Sequence, residues 1–230
     1  NAIYHSRRNL KDAELYVTLE PCSHYGKTSP CTKSIIKSGI KKVFFSINDP
    51  DFRSYNKSTK LLERKNIKVK KGICKDETNL FYKSYIKSKV SLLPFVTCKL
   101  AISKDFFTIN KKKRWITNKY SRGRVHLMRS YHDCIMTSSE TVINDNPFLT
   151  CRISVIKDRS PSRVILDRNL RIPLNSNIIK EAFNHRTIFF YNKNNRNKIR
   201  KLKNLKIELI EIPLDINNNL DLHAALIKAK

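Results

Sequence analysis

An α/β chain organised as two successive domains is the fold class this sequence predicts, and three observations predict it. Short runs rich in β-branched and aromatic residues, such as Tyr16-Val17-Thr18-Leu19, Lys41 to Asn48 and Thr187 to Tyr191, recur along the 230 residues. Between them lie segments with apolar residues at helical spacing, closed by Gly or by turn residues. The alternation is interrupted between Ser88 and Leu93, which reads as a linker, and it restarts at Pro94. The expected domains are residues 1–90 and 94–230.

Each element has its own signal. The opening residues read as the middle of a helix. Tyr16 to Leu19 alternates as a half-buried strand does, and Pro21 stops it. Pro30-Cys31 then opens a short helix with Ile35 and Ile36, ended by Gly39. Lys41 to Asn48 is a buried strand running into the turn signal Asn48-Asp49-Pro50. Leu61 and Leu62 mark a helix, Ile67 and Val69 a strand. Glu77 to Val90 suits one longer helix with Leu80, Phe81, Tyr85 and Ile86 along a face. After the linker, Pro94 to Asp105 reads as a strong strand. Arg163 to Asp167, Thr187 to Tyr191 and Ile207 to Ile212 are further strands. A basic helix precedes the last of these, and Asp221 starts a final helix.

Composition bounds the function classes. Lys and Arg number 47 against 19 Asp and Glu, a formal net charge of +28. Such an excess can serve phosphate binding. Here the Lys is spread over the whole chain alongside abundant Asn and Ile, the residues of A/T-rich codons. Runs such as Lys111-Lys112-Lys113 and Arg196 to Lys203 are therefore read as solvated surface. The alternation of basic and aromatic residues that single-strand binders use is absent. No apolar span approaches the roughly twenty residues that a membrane helix needs. Six irregularly spaced Cys do not form a disulfide framework, and a cytoplasmic protein is expected. The chain leaves a homo-oligomer open.

The residues that carry chemistry begin with Cys22 and Cys31. Each follows a Pro, one at a strand end and the other at a helix start, so both thiols should face one cleft. A helix N-terminus favours thiolate, the form that binds metal. Two sulfurs, an imidazole and a water make a known catalytic zinc arrangement, which would put the sulfurs about 3.5–4 Å apart. Two unrelated buried cysteines in a reducing compartment are the plainer alternative. Two Pro-Cys pairs bounding one polar loop weigh against it.

TLEPCSHYGKTSPC, from Thr18 to Cys31, resembles the zinc-binding segment of the bifunctional riboflavin-biosynthesis deaminase/reductase family, RibD. General zinc deaminases carry Pro-Cys-x-x-Cys; the wider spacing here is that of the riboflavin enzymes. The resemblance implies a cytidine-deaminase-like three-layer α/β domain followed by a dihydrofolate-reductase-like α/β domain. It implies zinc on Cys22 and Cys31, with the third ligand His and the catalytic Glu in a His-Ala-Glu triplet upstream of Asn1. His5 and His24 are not expected to replace that His. In the second domain it continues through Trp115-Ile116-Thr117, Arg129 and Ser138 to Arg152, so that most of residues 1–167 is covered. It implies NADPH contacts from Ala101, Trp115, Thr141 and Asp145, and substrate contacts from Arg129, Leu149 and Arg152. The two arginines would hold the phosphate of a phosphoribosylamino-pyrimidine through planar, bidentate donors.

The implied activity is hydrolytic deamination of 2,5-diamino-6-(5-phosphoribosylamino)pyrimidin-4-one, then NADPH-dependent reduction of its ribosyl group to ribityl. A reductase with an inert deaminase scaffold, and a basic nucleic-acid-binding deaminase relative, are the alternatives. Several positions depart from the family pattern. Phe52 to Asn56 replaces a Gly-containing loop, and Asp105-Phe106-Phe107 replaces Asp-Gly-Lys. Lys113 replaces a small hydroxyl residue, and Arg168 a serine. The family's Gly-rich cofactor turn would follow Lys230. The chain as given is expected to be cut at both ends, to hold zinc weakly and to catalyse neither step.

Overall fold

The computed structural model describes residues 2–6, 8–108, 115–193 and 195–230. Its contacts divide into two units, residues 1–95 and 96–230.

In the first unit a three-stranded parallel sheet has the order β1-β2-β3, formed by Glu14–Leu19, Lys42–Ile47 and Lys68–Lys71. Helix α1 (Ala2–His5) precedes β1, and α2 (Cys31–Lys37) and α3 (Ser58–Glu63) make the crossovers. The central strand places Val43 and Phe45 in the core with Ile35, Ile40, Leu62 and Ile67. Fully burying such a side chain stabilises by roughly 1.5–3 kcal/mol. Phe44 points the other way and stacks on Tyr16 of the edge strand, ring centroids 4.5 Å apart. Gly39 ends α2 with φ +77, and a Cβ there would meet the Lys11 backbone at 3.4 Å.

The single helix expected over Glu77 to Val90 is two: α4 (Lys75–Phe81) and α5 (Lys83–Val90) meet at Tyr82, whose backbone is non-helical. The break has a partner, because the Tyr82 hydroxyl is hydrogen-bonded to Thr18 of β1 at 2.9 Å. Leu80 and Phe81 are left exposed rather than aligned on a buried face.

In the second unit a four-stranded parallel sheet has the order β4-β5-β6-β7, from Cys134–Ser138, Ser162–Leu166, Thr187–Tyr191 and Glu208–Glu211. The helices are α6 (Lys119–Ser130), α7 (Ser139–Asp145), α8 (Asn177–Lys180), α9 (Arg196–Asn204) and α10 (Leu222–Ala229). Period-two alternation feeds both faces of this sheet. Ile165 and Phe189 pack with Val142, Leu170, Ile178 and Leu202 on one side. Val164, Ile188 and Phe190 pack with Ile212 and Ala225 on the other. Burial of both faces is why these strands read as near-continuous apolar runs. Asp221 caps α10 by accepting from His223 N and Ala224 N at 2.8 and 3.1 Å.

The strong strand expected over Pro94 to Asp105 is not one. The segment joins no ladder with any described strand, and Val96, Leu100 and Ile102 are exposed. β-Propensity expresses packing on a sheet, and without a neighbouring strand it yields no strand. A side-chain contact from Thr97 to His132 Nε2 at 3.0 Å ties this segment to the turn before β4.

Candidate functional site

Cys22 lies just beyond β1 and Cys31 begins α2. The loop between them closes on itself. The Cys31 N–H donates to Cys22 Sγ at 3.2 Å, and the Thr32 N–H to the Cys22 carbonyl at 3.1 Å. Burial, followed by hydrogen bonding to Cys22, raises the Cys31 thiol above its ordinary value. As two soft donors on one short loop, joined by the Cys31 N–H on Cys22 Sγ, they fit as two ligands of a zinc ion. Among the described residues no group of three or more His, Cys, Asp or Glu is placed to hold a metal. His5 is exposed at the end of α1. His24 Nδ1 is engaged with Ser54 Oγ at 3.0 Å, and neither histidine joins the two cysteines in a metal-holding group among the described residues.

Glu20, two residues before Cys22, is what fixes the neighbouring loop. Its buried carboxylate accepts from the N–H groups of Asp49, Asn56 and Ser58 at 3.2, 3.0 and 3.1 Å, and from Ser58 Oγ at 2.8 Å. Asp51 lies on the same loop, held far below the usual carboxylate range by Arg53 and then Lys89, its partners at 2.6 and 2.9 Å. Asp49 accepts from the Tyr85 hydroxyl at 2.8 Å. Burial and that bond push the Tyr85 hydroxyl up. The missing glycine of this loop has a local answer. Asn56 takes φ +58, a conformation that Asn tolerates better than other side-chain-bearing residues.

The second unit brings Arg129 and Arg152 to the two sides of one ring. Arg129, in the last turn of α6, approaches His126 Nδ1 at 3.4 Å and donates to the Thr150 carbonyl at 3.1 Å. Arg152 Nε donates to His126 Nε2 at 3.3 Å, and its backbone N lies 3.2 Å from Nδ1. No ion pair to a carboxylate involves either arginine among the described residues, and the buried Arg129 Nε has no partner. Burial and then Arg152 lower the Arg129 guanidinium below its ordinary value. Burial, Arg129 and Arg152 likewise hold the His126 imidazole down. His126 carries no signal in the motif pattern. Its spacing of one helical turn before Arg129 was the available clue.

Leu149 belongs to the core cluster, so what it contributes to the site is backbone. It takes φ +58, a strained conformation for a branched side chain, and turns the Thr150 carbonyl toward Arg129. The wholly buried Arg163 holds this turn from behind, donating to the Phe148 carbonyl at 3.1 Å.

The four residues expected at the cofactor lie on separate pieces of the unit. Ala101 is in the unpaired leading segment, and Trp115 has the Arg122 guanidinium 4.8 Å from its ring centroid. Thr141 is in the first turn of α7, its N–H capped by Ser138 Oγ at 3.3 Å, and Asp145 ends that helix. Of the departures, Phe106 takes φ +64 in a turn closed by Ser103 N and the Phe107 carbonyl at 2.9 Å, the conformation that glycine would relieve. Arg168 donates to the Asn218 carbonyl. Lys113 lies outside the described residues.

Comparison with known proteins places both units. The family model of the RibD C-terminal domain matches residues 94–230, and that of the cytidine and deoxycytidylate deaminase zinc-binding region matches residues 1–47. The class is thus a zinc-deaminase-type α/β domain joined to a RibD reductase-type α/β domain. The chain belongs to the RibD family. The riboflavin biosynthesis protein RibD of Bacillus amyloliquefaciens is 41% identical over 175 residues, 75% of this chain and 47% of its own length. Acinetobacter baumannii RibD superposes with a TM-score of 0.81 at 29% identity, covering 95% of this chain and 59% of that one. The diaminohydroxyphosphoribosylaminopyrimidine deaminase/5-amino-6-(5-phosphoribosylamino)uracil reductase of Thermotoga maritima gives 0.71 at 33% identity, covering 89% and 63%. The chain spans about half the length of the curated relatives it matches. No helix of its described residues is long and apolar enough to cross a membrane.

Proposed function

We propose that these residues belong to an enzyme of riboflavin biosynthesis that deaminates a phosphoribosylamino-pyrimidine and then reduces its ribosyl group. The observation that carries this is the pair of guanidiniums from Arg129 and Arg152 set around His126 with no carboxylate partner among the described residues, in a domain of the RibD reductase type. Such a cradle suits the 5-phosphate, an anion that two planar donors grip better than one.

Cys22 and Cys31 would hold zinc in the first domain, and the ion supplies Lewis-acid activation of the water that displaces the exocyclic amino group. The chain's own part there is positional. Glu20 locks residues 49–58 beside the cysteine loop, and His24 joins the two loops through Ser54. In the second domain NADPH supplies the hydride. Arg129 and Arg152 anchor the substrate's phosphate, which fixes where its ribosyl carbon stands. Trp115 offers a flat face for the cofactor with Arg122 behind it, and Thr141 and Asp145 offer polar contacts from α7.

The test is steady-state kinetics of the full-length protein with the deaminated substrate and NADPH. Arg129→Met and Arg152→Met should each raise the KM for the phosphorylated substrate about tenfold or more and leave that for NADPH within about twofold, as loss of a charge-assisted contact implies. Equal losses for both ligands would refute the assignment.

A further inference from the structure

We propose that His126 is a proton-linked positioning residue: it stands neutral between Arg129 and Arg152 in the absence of an anion, and takes up a proton when a phosphoryl dianion binds between the two guanidiniums. The inference rests on the phosphate assignment above and goes beyond it, because it makes affinity depend on a titration that neither arginine can undergo.

The geometry requires a neutral ring without an anion. Donors face both ring nitrogens: Arg152 Nε lies 3.3 Å from Nε2 and the Arg152 N–H 3.2 Å from Nδ1, which is also 3.2 Å from the Thr150 carbonyl, so at least one nitrogen keeps its lone pair and the ring is neutral. The groups facing the ring are those two arginines and, between Thr150 and Arg152, the buried Cys151. Lys157, Asp158 and Arg159 belong to the turn that packs on α6, and no ion pair among the described residues links them to the ring or to either arginine. Two fixed cations and partial burial therefore oppose a third charge, consistent with the lowered His126 value.

A dianion reverses the balance. It accepts from the buried Arg129 Nε, which has no partner among the described residues, and draws Arg152 Nε away from the ring. Nε2, relieved of that donor, gains a proton from solvent and donates N–H to the anion. One N–H bond forms, the proton's bond to hydronium or buffer acid breaks, and the site's charge rises by one to meet the ligand's two. Affinity should then fall by up to about tenfold per pH unit as pH rises between the His126 pKa of the ligand-free and bound forms.

Sulfate is the probe, since it keeps both charges across the relevant range and any proton taken up belongs to the protein. Calorimetric titration of the full-length protein with sulfate across the imidazole titration range, in two buffers of different protonation enthalpy, should show proton uptake that peaks between the His126 pKa of the free and bound forms. Imidazole NMR should show the His126 pKa rising by at least one unit on binding. His126→Gln keeps a neutral side chain able to bridge both arginines, so it should still bind sulfate, with no proton uptake and a flat pH profile. A melting curve matching the native protein's establishes that it is folded; if it is not, the imidazole titration of the native protein decides alone. Sulfate binding with no proton uptake, or uptake that survives in His126→Gln, overturns this proposal and leaves the phosphate assignment standing. Absence of any sulfate binding overturns both.

Discussion

Replacing Arg163 by Met should cost the second unit about 3 kcal/mol and, with it, the anion site. Arg163 is wholly buried at the start of β5, and burial lowers its guanidinium to about 10. It donates to the Phe148, Ile178 and His185 carbonyls at 3.1, 3.0 and 3.2 Å, and to Thr187 Oγ1 at 2.6 Å. His185 keeps a donor in the variant, because the Thr187 hydroxyl also reaches its carbonyl at 2.8 Å. The Phe148 and Ile178 carbonyls lose the arginine, each at about 1–3 kcal/mol when buried. Relief of an unpaired buried cation offsets part of that, since Met of similar length packs without a desolvation penalty. The balance, about 3 kcal/mol, corresponds to a fall in Tm of about 10 °C for a unit of this size. Thermal melting and urea titration of the native and Arg163→Met proteins measure it. Sulfate affinity should fall as well, because Phe148 precedes the strained Leu149 and the Thr150 carbonyl that Arg129 grips. A loss under about 1 kcal/mol with sulfate binding intact would refute the claim that this arginine holds the turn.

Three further outcomes follow from particular contacts. Phe106→Gly should raise stability by about 0.5–1 kcal/mol by relieving φ +64, and an unchanged or lower melting temperature would show that the turn bears no strain. Glu20→Ala should destabilise the first unit by about 3 kcal/mol, since two buried N–H groups, a partly buried one and a buried hydroxyl lose their acceptor, and faster amide exchange over residues 49–58 is the measurement that locates the damage. Asp51 is lowered by Arg53 and Lys89, so its contribution is fully present above the unfolded carboxylate value near about 3.9 and drains away as pH falls below it. The urea midpoint should therefore decline between pH 5 and pH 2 more steeply in the native protein than in Asp51→Asn, and parallel curves would exclude the salt-bridge account.

What the sequence by itself determined was whatever depends on local pattern. The strands over Tyr16 to Leu19, Lys41 to Asn48, Arg163 to Asp167 and Thr187 to Tyr191, and the short helix after Pro30, follow from periodicity and breakers. The approach of Arg129 to Arg152 was legible only through family likeness, since 22 residues lie between them. Tertiary structure decided the rest, for reasons that no local window contains. Tyr82 breaks a helix because its hydroxyl has a partner on β1, 64 residues away. Pro94 to Asp105 has the residues of a strand but pairs with no described strand, and pairing is a property of two segments. Glu20 and Arg163 look like ordinary charged residues in sequence. They become buried anchors only when distant N–H groups and carbonyls close around them, because desolvation makes each unmet donor or acceptor costly. His126 gains its place between two cations in the same way, by the turn that Leu149 makes 23 residues later with a backbone angle that no composition foretells.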